Sequence, residues 1–209
     1  MPITINGSGT VTGISAGGLP DNCIVTADIA DNNVTTPKIP DGAITQAKRS
    51  EQLTLGTTKA STSGTSIDFT GIPSWVKRVT VMFDGVSTNG TSIPRLRLGD
   101  AGGVEDTGYE GYSVRGGSAN NAYSAAFSAG FDFNDVSNAA LVRTGELRLT
   151  LLTGNQWVVA GIYTAIGTTA YQTTMAGSKS LSDTLDRVRI TTVNGTDTFD
   201  AGSINIMYE

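Results

Sequence analysis

From Ser66 onward, apolar and polar residues alternate one by one, the period of a strand with one wet face. Val79, Val81 and Phe83 alternate with Arg78, Thr80 and Met82, and Leu96 and Leu98 with Arg95 and Arg97. Leu147, Leu149 and Leu151 alternate with Glu146, Arg148 and Thr150, and Val188 and Ile190 with Arg187, Arg189 and Thr191. Ile204, Ile206 and Tyr208 close the chain in the same manner. Trp157 to Ile166 is apolar on both faces, which predicts a central strand or one buried between subunits. Turn-forming pairs separate the runs: Asn89-Gly90, Gly102-Gly103, Gly116-Gly117, Gly154-Asn155 and Asn194-Gly195. About eight to ten short strands without a helical stretch predict an all-β, antiparallel sandwich of jelly-roll type.

The first third follows another rule. Ile14, Leu19, Ile24, Ile29, Val34, Ile39 and Ile44 fall at every fifth position, and Asp21, Asp31 and Asp41 at every tenth. A regular strand would point residues five apart to opposite sides, and a helix would be broken by Pro20, Pro37, Pro40, Gly17, Gly18 and Gly42. An extended piece followed by a turn, repeated, keeps every fifth side chain on one side. Pro20-Asp21, Asn32-Asn33, Pro40-Asp41 and Asp41-Gly42 supply turn chemistry for such a path.

One chain is not expected to hold that path alone. Two aliphatic side chains per ten residues are worth roughly 3–6 kcal/mol when buried, against roughly 10–20 kcal/mol for ordering ten backbones. Identical copies around an axis are the simplest source of shelter, so the segment reads as an intertwined three-chain shaft with the aliphatic row on the axis. Two other readings stand beside it: a disordered linker, and a single-chain pentapeptide solenoid. The solenoid would have too few coils, and Asn22, Asn32 and Pro37 occupy positions that it fills with small residues.

Every Phe, Trp and Tyr falls at or after Phe69, so the aromatic part of a globular core belongs to the later residues alone. The expected division is 1–18 for attachment, 19–49 for the shaft, 50–64 as a polar linker and 65–209 as a β head. A net charge of −5 with 16% charged residues lacks the basic footprint of a nucleic-acid binder. No apolar run reaches the roughly 18 residues of a membrane span, and MPITINGSGT has no basic or apolar region of a secretory signal. Neither nucleic acid nor membrane insertion is expected, and Cys23, the lone cysteine, forms no intrachain disulfide.

Histidine is absent from the sequence, which removes Ser-His-Asp and Cys-His hydrolysis and the commonest zinc ligand. Carboxylates are the remaining catalytic option: Glu105 and Asp106 beside Asp100, and Asp132 with Asp135. The acidic loop 100–106 also suits a calcium ion, although a solvated loop is the simpler reading. No enzyme activity, metal or cofactor is expected. Tyr109, Tyr112 and Tyr123, with Arg115, sit in GYEGYSVRGGSANNAY, which reads as a long functional loop. They are the receptor-binding candidates, with packing on the sandwich as the alternative for each ring, whereas Trp75 and Trp157 are expected in the core.

ITINGSGTVTGISAGGLPD at the start, then DNNVTTPKI from Asp31 to Ile39 and DGAITQAK from Asp41 to Lys48, resembles the shaft of bacteriophage tail fibres. TSIDFTGIPSWVKRVTVMFDGVSTNG, residues 65–90, and the closing GSINIMYE resemble the C-terminal β domain of such fibres. The resemblance implies a homotrimeric virion appendage whose C-terminal domain contacts a host surface glycan or protein. Such fibres often begin with an adaptor domain, whereas here the repeat starts almost at Met1. Attachment to tail or capsid proteins is therefore expected through the first dozen or so residues, or through another fibre protein. A capsid (head) fibre and a non-catalytic carbohydrate-binding module are the alternatives.

Overall fold

The computed structural model describes residues 24–31, 33–40, 43–44, 53–117, 123–133, 138–168 and 170–209, with the side chains of Thr36, Gly117 and Tyr123 set aside. Ile14, Leu19, Cys23, Asp135 and the expected attachment segment 1–18 lie outside the described residues. The chain divides into two units, Met1–Ser50 and Glu51–Glu209.

In the first unit, one turn recurs at every fifth residue. The amides of Asp28, Asn33, Lys38 and Ala43 donate to the carbonyls of Val25, Ala30, Thr35 and Pro40, at 2.9, 3.1, 2.8 and 3.0 Å. Two of these turns are short 3-10 helices, Thr26–Asp28 and Thr36–Lys38, ten residues apart. Val25 and Ile29, on either side of the first, have extended backbones. The turn thus recurs at the expected five-residue spacing, and the first of them is flanked by extended residues. The two 3-10 helices are stitched differently: the Asp28 carboxylate accepts from the Val25 amide at 2.9 Å, and the Lys38 ammonium donates to the Asn33 carbonyl. Pro37 suits its place, because an amide in the first turn of a helix has no partner to lose.

The second unit is all-β and antiparallel, with fourteen strands among the described residues. They are β1 (Thr54–Leu55), β2 (Lys59–Ala60), β3 (Ser66–Thr70), β4 (Arg78–Thr88), β5 (Pro94–Asp100), β6 (Gly103–Val104) and β7 (Tyr109–Gly117). There follow β8 (Tyr123–Ala126), β9 (Phe131–Asp132), β10 (Val142–Thr153), β11 (Gln156–Ile166), β12 (Ala170–Ser180), β13 (Arg187–Thr192) and β14 (Phe199–Tyr208). The large sheet runs β1-β14-β4-β10-β11-β12-β7-β8, with β2 beside β14, and the small one β3-β13-β5-β6, with β9 beside β5. The stretch expected as a linker, 50–64, therefore contributes two short strands: Thr54 pairs with Tyr208 and Lys59 with Ile204. Two-residue edge strands have too little sequence to show alternation.

The inward residues of both sheets meet in one core. Val79, Val81, Leu147, Leu149, Trp157 and Val159 of the large sheet join Ile67, Phe69, Leu96, Leu98, Val188 and Ile190 of the small one. Trp157 is buried as expected, and Trp75 is partly buried with its ring 6.0 Å from that of Tyr208. Phe83, Phe133 and Tyr163 form one aromatic group, and Phe131 stands nearly perpendicular to both Tyr109 and Phe127 in another. Strand β4 keeps its apolar side inward only by a bulge: the pairing with β10 skips a residue between Phe83 and Val86, where Gly85 has φ +68°. Gly202 faces it on β14 with φ +90°, and a Cβ there would lie 2.4 Å from the Gly85 backbone.

Candidate functional site

The repeating turns leave their aliphatic row uncovered. Ile24, Ile29, Val34 and Ile44 are 54, 44, 52 and 49% exposed, and Ile39 is half-buried. A pentapeptide solenoid would turn these side chains into its own interior, so the observed exposure counts against that alternative. Four branched side chains of the five-residue repeat thus stand exposed to water.

The receptor candidates share one hairpin but not one surface. GYEGYSVRGGSANNAY was expected as a loop, yet Tyr109–Gly117 forms β7 and pairs along its whole length with β12, from Lys179 opposite Tyr109 to Tyr171 opposite Gly117. Tyr109 is a core residue, 3% exposed, and a receptor contact through its ring is corrected accordingly. Its hydroxyl accepts from the Leu98 amide at 2.8 Å and donates to the Glu105 carbonyl at 2.9 Å. Burial pushes its phenol well above the ordinary range. Tyr112 is 61% exposed on the outward side. Arg115, on the opposite side of the strand, sets its guanidinium 5.5 Å from the Tyr171 ring, a cation–π contact that the sequence did not suggest. Tyr123 pairs with Arg115 across β7 and β8, and its side chain lies outside the described residues.

Three of the candidate carboxylates, Asp132, Asp100 and Glu105, are held by partners, whereas Asp106 is exposed. Asp132 is clamped by Arg95 through both oxygens, Nη2 to Oδ2 at 2.9 Å, with both side chains largely buried. Asp100 accepts from the Ser182 hydroxyl at 2.5 Å and the Gly102 amide at 2.8 Å, and these bonds hold its carboxyl below the ordinary carboxylate range. Glu105 accepts from the Ser182 amide at 2.7 Å and from the buried ammonium of Lys179. Burial raises the Glu105 carboxyl, but the bonds from Lys179 and Ser182 outweigh it and hold it below the usual range. The result is a polar clamp that ties loop 101–108 to the segment after β12. Among the described residues, no three acidic or cysteine side chains converge as a metal site would need.

On the outward face of the large sheet, Arg78 with Glu209 and Glu146 with Arg148 sit over β14, β4 and β10. The next strands differ. On β11 and β12, and on β7 from Tyr112 to Gly116, the outward side chains carry no charge. Ile162, Ile166 and Val114 are 45, 55 and 42% exposed there. A shallow depression of about 650 Å³ opens between Val114, Thr164, Ile166, Tyr171, Gln172 and Thr174. The signal for this face was present in the sequence: Trp157–Ile166 is apolar on both sides, and β11 proves to be a central strand with its second side in the open. Comparison with family models, curated proteins and solved structures gives no match.

Proposed function

We propose that the chain is a structural virion fibre, a phage tail fibre whose residues 19–49 combine with two further copies as a homotrimeric shaft and whose β head meets the host surface. The observation that carries this reading is the turn at every fifth residue with its exposed aliphatic row. Three such rows facing one axis remove from water the side chains that a single chain leaves in it. Residues 1–18 are then the attachment to tail or capsid proteins, and the head presents Tyr112 to a host glycan or protein.

The head is proposed to be of jelly-roll type, and the strand order supports this. A jelly roll alternates successive strands between two sheets, as β3, β4, β5 and β7 do here, with β9 and β13 returning beside β5 and β3. The meander β10-β11-β12 takes the place of a single strand between β4 and β7, and β14 extends the sheet beyond β4. No catalytic role is assigned to any residue: Asp132, Asp100 and Glu105 are held by Arg95, Ser182 and Lys179.

Deleting residues 19–49 tests the fibre. The shortened chain should run as one chain in solution and be missing from purified particles that carry the full chain. A shortened chain that stays trimeric, or that still enters particles, would overturn the reading. One that is monomeric but keeps a full affinity for glycans would favour a carbohydrate-binding module.

A further inference from the structure

The geometry points to a binding site for a carboxylate-bearing sugar on the outward face of the small sheet, centred on Arg97. The sugar's origin, a host surface, rests on the fibre reading above, whereas the site itself does not. Leu96, Leu98, Val188, Ile190, Ile67 and Phe69 turn into the core, so the alternate residues of β5, β13 and β3 face outward. Four arginines stand among them, Arg95 and Arg97 on β5 and Arg187 and Arg189 on β13. Three of the four hold a carboxylate. Arg189 grips both oxygens of Asp68 at 2.6 and 2.7 Å, Arg95 grips Asp132 in the same two-pronged way, and Arg187 meets Asp186 at 2.9 Å. Arg97 holds none among the described residues. Its Nε donates to the Ala129 carbonyl at 2.8 Å, and its two Nη groups have no partner there.

Arg97 differs from an ordinary solvated arginine in two respects. Its register partner on β13 is Arg189, and like charges directly opposite on a sheet repel, a cost that an added anion relieves. It is also half-buried, with its Nε anchored by a backbone carbonyl. That anchor fixes the guanidinium plane and leaves the Nη pair as a preorganised fork, the shape that matches the two oxygens of a carboxylate. Charge selects the occupant. The chain carries −5 overall and repels acidic molecules, but on this face the arginines outnumber the carboxylates. A fourth carboxylate completes the series that Asp68, Asp132 and Asp186 begin. The remaining surface favours a sugar over an acidic peptide as its carrier. Asp68 and Asp186 keep 34 and 30% of their side chains exposed, and they can accept from sugar hydroxyls, whereas further peptide carboxylates would be repelled by them.

The test titrates the full chain by calorimetry with oligogalacturonate, with its uncharged methyl ester, and with oligoglutamate, and reads the solution mass of the same samples. Oligogalacturonate should bind, and the ester should bind about tenfold or more weakly. Arg97→Gln should weaken binding of the acid by a similar factor while melting with the wild type, since Arg97 has no ion pair to lose. Arg97→Lys should restore little, because an ammonium has no fork. Arg78→Gln, which removes the same charge from the large sheet, should leave binding unchanged. No binding at about millimolar oligogalacturonate in a three-chain particle would overturn this inference and leave the fibre reading standing. Equal losses in Arg97→Gln and Arg78→Gln would overturn it too, as attraction without a site. Tighter binding of oligoglutamate than of the sugar would overturn it in favour of an acidic peptide. Binding that depends on Arg97 in a single-chain particle would support the site and overturn the fibre reading, and no binding in such a particle would overturn both.

Discussion

In the second unit Val79, Val81, Leu147 and Leu149 are wholly withdrawn from water by strands of the same chain. In the first unit Ile24, Ile29 and Val34 are equally apolar, evenly spaced and held by defined turns, yet about half of each surface remains in water. The difference lies in how the backbone disposes of its hydrogen bonds. A strand that alternates every residue offers a ladder on both edges, so neighbouring segments of one chain can stack and bury a face. A path that turns every five residues satisfies one amide per repeat locally and offers no long ladder within the chain. Within one chain its aliphatic row therefore stays in water, and in the proposed shaft copies of the chain would cover it.

The comparison breaks first where the first unit is altered. Ile29→Asn with Val34→Asn should abolish the proposed trimer, read as a fall from three-chain to one-chain mass. The thermal transition of the β unit should survive in the same sample. Loss of the β fold in that variant would contradict the independence of the two units.

The reverse experiment acts on the second unit. Phe131→Ala removes a fully buried ring that packs between Tyr109 and Phe127, and should cost about 3–5 kcal/mol in denaturant unfolding of the head. The solution mass of the full chain should not change, since the proposed shaft lies in the first unit.

Glu105→Gln should cost about 2–4 kcal/mol at neutral pH, since it leaves the Lys179 ammonium, itself 5% exposed, without its carboxylate. The Glu105 carboxyl is lowered in the fold, so its contribution is fully present above the unfolded value of about 4.3 and is lost as pH falls through the lower folded value. The gap between wild type and variant in a pH series of melting curves should therefore close on acidification. A gap that widens in acid would show that Glu105 is not held as an anion.

The smallest effects separate the tyrosines. Tyr109→Phe removes a hydroxyl bonded to Leu98 and Glu105 and should cost about 1–2 kcal/mol. Tyr112→Ala should change stability by less than about 0.5 kcal/mol, while lowering adsorption to host cells. Unchanged adsorption would remove Tyr112 from the receptor surface.

The long strands were legible because β4, β5, β10, β13 and β14 each put a continuous apolar set on one side. The hairpin of β7 and β8 was not, because Gly116-Gly117 read as a turn and the whole of GYEGYSVRGGSANNAY, Gly111 included, as a long loop. Gly111 is there for another reason: it faces Gly177 across the sheet, and a Cβ on it would lie 2.3 Å from the Ala176 carbonyl. The clamp of Glu105 by Lys179 and Ser182 joins residues more than seventy positions apart, and such pairs leave no local trace. The five-residue repeat, in contrast, was visible in both spacing and turn chemistry, since each turn is closed by residues three apart.

The most direct measurement is the mass of the full chain in solution by light scattering. The account predicts three chains per particle across the accessible concentration range. A stable, well-folded single chain would contradict it, because the aliphatic row of the first unit would then persist in water without copies of itself.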